Sequence, residues 1–281
     1  MHQIMKMLYN LKIVRFEMAP GNDHKSHLSL QEAGFIGAGV LSMVLAFILL
    51  VVLALNGSCQ MQKTKGNGVS GERHVEIGQF EQIQLGGTVD AIIRQCPSTS
   101  IYIHGDENLL PLIDFELKQG VLIISNKRDI DPKLGLMIEI CTPIINRITL
   151  SGAADLTALD LECEILELQL SGVGDMEFTG QADYLEVLLS GVGDLRLVGN
   201  TGKLDAVVSG VGDLKAGDLT AKRIDIKVSG VGDAVVYPLH TLDARVSGVG
   251  DIIYFGNPSE QRTHISGAGE IIRRPKPGTD R

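Results

Sequence analysis

LSGAADL (150–156), LSGVGDM (170–176), LSGVGDL (189–195), VSGVGDL (208–214), VSGVGDA (228–234), VSGVGDI (246–252) and ISGAGEI (265–271) are seven copies of one phrase, and they decide the fold. Their serines, Ser151, Ser171, Ser190, Ser209, Ser229, Ser247 and Ser266, are separated by 20, 19, 19, 20, 18 and 19 residues. A step this constant marks a single structural unit repeated along the chain. Upstream of each serine the apolar residues fall on every second position. Leu150, Leu170, Leu189, Val208, Val228, Val246 and Ile265 stand one residue before it. Leu168, Val187, Ala206, Ile226 and Ala244 stand three before, and Leu166, Leu185, Leu204, Ile224 and Leu242 five before. Period two is the signature of a strand with one buried face. After the motif, Met176, Leu195, Leu214, Ile252 and Ile271 resume the apolar column, followed by a loop holding residues such as Gly199, Asn200 or Pro258.

No unit contains the dozen or so residues that a crossover helix needs, so equivalent strands must stack on one another in parallel. The expected fold is all-β, a parallel β-helix or solenoid of about 19 residues per rung. An antiparallel sandwich does not account for identical residues at identical offsets, whereas stacking sets each position about 4.8 Å from its own copy. Gly 33, Trp 0 and 4% aromatics also suit thin layers with many turns.

Working outward from the repeats, residues 71–149 carry short β-like runs: HVEIGQFEQIQL, VDAIIRQ, SIYIHG, FELKQGVLIIS with a turn at Gln119-Gly120, and LMIEICTP. They read as a β-rich lead-in that caps the solenoid at 150–274, with DENLLPLID (106–114) as a short helical turn or a loop and 275–281 as a tail that blunts the terminal edge. Residues 59–70 are polar and Gly-containing and read as a flexible tether. Ahead of them, FIGAGVLSMVLAFILLVVLAL (35–55) is uncharged and long enough to cross a bilayer as one hydrophobic helix, after a flank at 1–34. The segment 35–58 ends at Asn56-Gly57-Ser58-Cys59, which is similar to a bacterial lipoprotein signal in which Cys59 is lipidated. Membrane insertion through 35–55 and lipid on Cys59 are the two anchors to weigh, and both export the chain from Gln60 onward.

With Cys59 set aside, Cys96, Cys141 and Cys163 are odd in number; buried free thiols are the simplest reading and one disulfide the alternative. A net charge of -9 excludes nucleic acid as a partner, because phosphate binding needs a basic footprint.

The motif itself is read as scaffold. Gly172, Gly174, Gly191, Gly193, Gly210, Gly212, Gly230, Gly232, Gly248 and Gly250 allow a sharp corner or close approach between rungs. Ser171, Ser190, Ser209, Ser229 and Ser247 are expected to hydrogen-bond as a ladder along the stack. A nucleophilic serine needs a base, and His240 and His264 follow no repeat, so no catalytic residue is assigned. Asp155, Asp175, Asp194, Asp213, Asp233, Asp251 and Glu270 form one acidic column; Glu167, Glu186, Asp205, Asp225 and Asp243 form a second. Two readings stay open for the first: bonds to corner N–H groups, or oxygen ligands for Ca²⁺ or a polar ligand such as a glycan.

Gly66-Asn67-Gly68, FEQIQLGGTVDAIIRQ followed by IHGDENLL, and the SGVGD repeats together resemble the auto-transporter adhesin, head GIN domain family of bacterial envelope proteins, common in Bacteroidetes, over about residues 68–274. The resemblance implies a fold similar to right-handed β-helices, export or lipid anchoring, and adhesion to a glycan or an envelope or surface protein, with no catalytic residues to carry over. A polysaccharide-active β-helix enzyme and a self-assembling structural scaffold are the competing classes.

Overall fold

The computed structural model describes residues 63–277, which form one compact unit. The expected hydrophobic helix within 35–58 and the lipidation candidate Cys59 lie outside the described residues. Among the described residues no helix is long and apolar enough to cross a membrane.

The repeats fold as parallel strands that wind into stacked rungs: β11 (Leu156–Leu170), β12 (Met176–Leu189), β13 (Leu195–Val208), β14 (Leu214–Val228) and β15 (Ala234–Val246). Each pairs in parallel with the next, and the register sets motif against motif. The final rung is split into β16 (Ile252–Tyr254) and β17 (Glu260–Ile265), both on β15, with β18 (Ile271–Arg273) on β16. The loop expected around Gly199 and Asn200 is absent as a loop. Both residues lie inside β13 and pair with Gly180 and Gln181, because the chain bends there without leaving the ladder.

The period-two apolar positions fill the interior. Leu166, Leu185, Leu204, Ile224 and Leu242 make one buried column, and Leu170, Leu189, Val208, Val228 and Val246 another. Leu156, Met176, Leu195, Leu214, Ala234 and Ile252 face them from the opposite wall, with Phe178 the bulkiest fully buried side chain. Burial of such a column supplies the hydrophobic stabilisation of the stack, since no single rung can enclose a core. Ile265, expected in the same column, is 46% exposed because among the described residues no strand stacks on the far side of β17. Gln261 and Thr263 occupy the inward register of β17 against Leu242 and Ala244, so the end is finished by polar side chains. Lys276 pairs with Asp218 at 3.3 Å and sits over the Tyr237 ring, and residues 278–281 of the tail lie outside the described residues.

The lead-in is built from β1 (Thr64–Lys65), β2 (Ser70–Val75), β3 (Gln82–Leu85), β4 (Asp90–Gln95), β5 (Ser100–Asp106), the hairpin β6 (Ile113–Lys118) and β7 (Val121–Asn126), β8 (Ile130–Asp131), β9 (Leu136–Thr142) and β10 (Arg147–Leu150). Gln119 and Gly120, at φ 50° and 80°, form the expected hairpin turn, and Leu110–Leu112 is one 3-10 turn. Apart from the separate β1–β8 pair, this region continues the same sheet. β10 and β3 extend one wall in parallel, and β4 extends the other by pairing with β11. Antiparallel pairs β2–β5, β5–β9 and β6–β7 then close the end.

Two expectations fail here. The tether reading fails from residue 63 onward: β1 pairs with β8, and the Gly68 N–H donates to Asp106 Oδ1 at 2.7 Å. Asn67 N–H donates to Asn108 Oδ1 at 2.9 Å, while Asn108 Nδ2 donates to the Lys65 carbonyl. The free-thiol reading fails for two cysteines, since Cys96 and Cys141 form a disulfide across a sequence separation of 45. Parallel pairing of β4 with β9 brings them to the same strand ends, a proximity that their sequence positions do not show.

Candidate functional site

Each rung turns from one wall to the other through Ser-Gly-Val-Gly-Asp. The Ser190 and Gly191 N–H groups share the Leu170 carbonyl, Val192 N–H donates to Gly172 O, and Gly193 N–H donates forward to Val211 O, all between 2.8 and 3.0 Å. The pattern recurs from copy to copy up to the last, which has no forward bond, so the corner is itself a narrow sheet bonded from rung to rung. In this copy, which stacks on the Gly172 and Gly174 rung, glycine is required at both positions. A Cβ on Gly193, whose φ is 140°, would lie 2.0 Å from the Gly174 carbonyl oxygen, and one on Gly191 would lie 2.1 Å from that of Gly172.

The serines do not bond to each other as expected. Ser171, Ser190, Ser209 and Ser229 Oγ approach main-chain carbonyls of the preceding rung at 3.4–3.5 Å, so each hydroxyl is held loosely at the surface. The repeat brings no histidine beside them. The valine between the glycines points outward. Val173, Val192, Val211, Val231 and Val249 are 50–56% exposed, in a continuous ridge.

The first acidic column is a backbone ladder. Asp175 N–H donates to Asp155 Oδ1 at 2.9 Å, and the pattern repeats through Asp194, Asp213, Asp233, Asp251 and Glu270, each N–H reaching the preceding carboxylate at 2.8–2.9 Å. One oxygen of each aspartate therefore ties two rungs together, and the like charges are offset by charge-assisted bonds. Lys215 pairs with Asp194, whose carboxyl is held below its usual range chiefly by that ammonium and then by the Asp213 N–H. Among the described residues no group of His, Cys, Asp and Glu side chains is arranged to hold a metal ion.

The ladder begins one rung earlier than the motif copies. Asp155 N–H donates to Asp90 Oδ1 at 2.9 Å, and Ala153 N–H donates to the Gly87 carbonyl. Leu85-Gly86-Gly87-Thr88-Val89-Asp90-Ala91 is thus a degenerate copy. Its Leu, Gly and Asp stand at the motif's offsets, a signal hidden by Gly86 in place of serine and Val89 in place of the second glycine.

The second acidic column runs in register along the outer face of the other wall, Glu167, Glu186, Asp205, Asp225 and Asp243. It is closed at both ends by arginine, since Arg147 pairs in register with Glu167 and Arg262 with Asp243. Cations from neighbouring columns thread it. Arg147 binds Glu167, Lys203 Nζ lies 2.6 Å from Asp205 Oδ2, and Arg245 spans Asp225 at 3.0 Å and Asp243 at 2.8 Å. Tyr184 Oη donates to Asp205 at 2.7 Å, and that bond, with burial and the acidic neighbours, pushes the phenol up to about 12.

A continuous parallel stack whose corners repeat the same residues from rung to rung defines the class: a β-solenoid. The chain belongs to the family described as "Putative auto-transporter adhesin, head GIN domain", whose model matches residues 79–258. It is similar to solved structures named "putative adhesin" from Bacteroides fragilis (27% identity, TM-score 0.72, 75% of this chain and 99% of that one) and from Parabacteroides merdae (24%, 0.59, 75% and 99%). A Parabacteroides distasonis protein named for lipid binding also shares the fold (23%, 0.64, 76% and 100%). No curated protein sequence matches the chain.

Proposed function

We propose that the chain is a non-catalytic adhesion module of the cell envelope, holding a polar polymer, a glycan or a surface protein through many weak and equivalent contacts along its outward columns. The observation that carries this reading is the repetition itself. The interior is filled by side chains, and the corners present serine, valine and aspartate at rung after rung, about 4.8 Å apart. A ligand with its own repeat gains from such a surface by multivalency, while a one-centre reaction does not. The family description and the Bacteroides fragilis relative, named "putative adhesin", support the reading. The Cys96–Cys141 disulfide agrees with an exported domain, since disulfides persist in oxidising compartments. Residues 35–55, or lipid on Cys59, would supply the anchor.

Glycan-array and cell-surface binding by the chain tests this against two variants. One carries Asp175→Asn, Asp213→Asn and Asp233→Asn in the corner column; the other carries Glu186→Gln, Asp205→Asn and Asp225→Asn in the wall column. The expected result is binding by the parent and a loss of tenfold or more in at least one variant. Failure of the parent to bind, or undiminished binding by both variants, overturns the proposal.

A further inference from the structure

The second bend of the rungs, inside the long strands β11–β14, holds a groove of about 460 Å³, a volume within the range of ligand sites. It follows the in-register column Cys163, Ala182 and Thr201. On one side of that column run Glu162, Gln181, Asn200 and Thr220, each in register with the next over three rung steps, about 14 Å. On the other side stand Glu164, Asp183 and Lys222, with Gly202 leaving a gap between the last two.

The fold makes no use of these polar groups. Glu162, Glu164, Gln181, Asp183, Asn200 and Lys222 are exposed, and none of their side chains has a hydrogen bond or ion pair among the described residues. The other columns differ: corner carboxylates hold N–H groups of the next rung, and Glu167, Asp205, Asp225 and Asp243 hold Arg147, Lys203, Tyr184 and Arg245. The groove also breaks the repeat. Carboxylates gather at the end formed by Glu162, Glu164 and Asp183, carboxamides follow at Gln181 and Asn200, and the Lys222 ammonium stands at the far end. Such a lining suits one ligand of fixed length and polarity, whereas the corner repeats the same groups without limit.

Carboxylates accept, carboxamides and the threonine hydroxyl both accept and donate, and the ammonium donates, so the lining answers a molecule with hydroxyls along its length. A peptide finds little here. The main chain of Gln181, Asn200 and Thr220 is already paired in parallel ladders, and Leu239 is the one large apolar residue of the lining. Three carboxylates at one end favour a cation there, and Lys222 disfavours one at the other. We propose that the groove binds a short amino-sugar oligosaccharide, with a free amine among Glu162, Glu164 and Asp183 and its hydroxyls along Gln181, Asn200 and Lys222. The site shares a ligand class with the adhesion reading but none of its residues, so each stands or falls without the other.

NMR titration of the full chain with two N-acetylglucosamine tetramers tests this, one carrying a free amine on a terminal unit and the other fully acetylated. Below neutral pH, where the amine is protonated, the first is expected to bind at least fivefold tighter. Glu164→Gln with Asp183→Asn is expected to erase that preference, and Gln181→Ala with Asn200→Ala to weaken both probes fivefold or more, with thermal melting unchanged because these side chains hold nothing in the fold. Absence of binding by both probes, equal affinity for the two, or groove variants that bind like the parent overturns the proposal. Tetralysine binding as tightly as the amine-bearing tetramer also overturns it, because charge alone would then suffice. The triple variants of the corner and wall columns are expected to keep the tetramer. Its loss in them, with retention in the groove variants, would move the ligand to the repeating columns and overturn the assignment. Loss of the tetramer in the groove variants with cell-surface binding retained supports the groove as a separate site.

Discussion

The main-chain N–H of Asp194 donates to Asp175 Oδ1 at 2.8 Å, so the side chain of one rung holds the backbone of the next. Replacing Asp175 by Ala leaves that N–H without its acceptor and is expected to destabilise the chain by about 1 kcal/mol. Asp175→Asn keeps an acceptor oxygen and removes a like charge from a column in which neighbours about 4.8 Å apart repel by roughly 0.9 kcal/mol in water. It is expected to be neutral or slightly stabilising. Denaturant midpoints of the two variants check this; an Asn variant as weak as the Ala variant would show that charge, not the bond, matters.

Gly193→Ala places a methyl 2.0 Å from the Gly174 carbonyl oxygen at a φ of 140°, a conformation that L side chains rarely adopt. The rungs must separate locally to accept it. We expect loss of cooperative folding or a melting temperature lowered by many degrees, whereas Val192→Ala, on the outward ridge, should change it little. Thermal melts by circular dichroism compare the two directly.

Asp106 accepts the main-chain N–H groups of Leu134, Gly68 and Lys133, and these bonds, the one from Leu134 foremost, hold its carboxyl below its usual range despite the opposing effect of burial. A depressed folded-state value means that the stabilisation is fully present above the unfolded carboxyl range near pH 4 and is lost as pH falls through the lower folded value. Asp106→Asn would turn an amide donor towards this ring of donors at any pH. Hydrogen exchange should then show residues 63–70 released while β11–β15 stay protected. Unchanged protection at 63–70 would remove the clamp assigned to Asp106.

Loop-closure entropy for the 45-residue separation of Cys96 and Cys141 corresponds to about 4 kcal/mol as an upper figure. Cys96→Ser with Cys141→Ser is therefore expected to lower stability by roughly 2–4 kcal/mol, with β4, β5 and β9 loosened first. Urea unfolding of the double variant, and of the parent under reductant, should agree.

Cys163 is half-buried, and burial pushes its thiol up to about 11. At pH 8 the native chain should react with thiol reagents far more slowly than the unfolded chain, in which the thiol returns to its ordinary range. Equal rates would contradict the burial of this side chain.

The repeat made most of the fold legible. Period-two columns at Leu204, Ala206 and Val208, with their copies at every step, define the buried wall, and the constant spacing defines the rung. Identity at equal offsets required parallel stacking, because only stacking sets each residue beside its own copy. The two acidic columns were legible for the same reason. Their roles were not: whether Asp175 holds a backbone N–H or faces a cation depends on which atom of the neighbouring rung lies near it, and sequence distance of 19 residues carries no such information.

What the sequence alone determined is the periodic part, where each contact is a copy of the last and local pattern implies tertiary neighbours. Only the tertiary structure decided the aperiodic part. The union of Cys96 with Cys141, the capture of Gly68 by Asp106, the arginines closing the second column and the extension of the ladder to Asp90 all join residues whose separations are unique. Such pairings occur once, and chain topology fixes them.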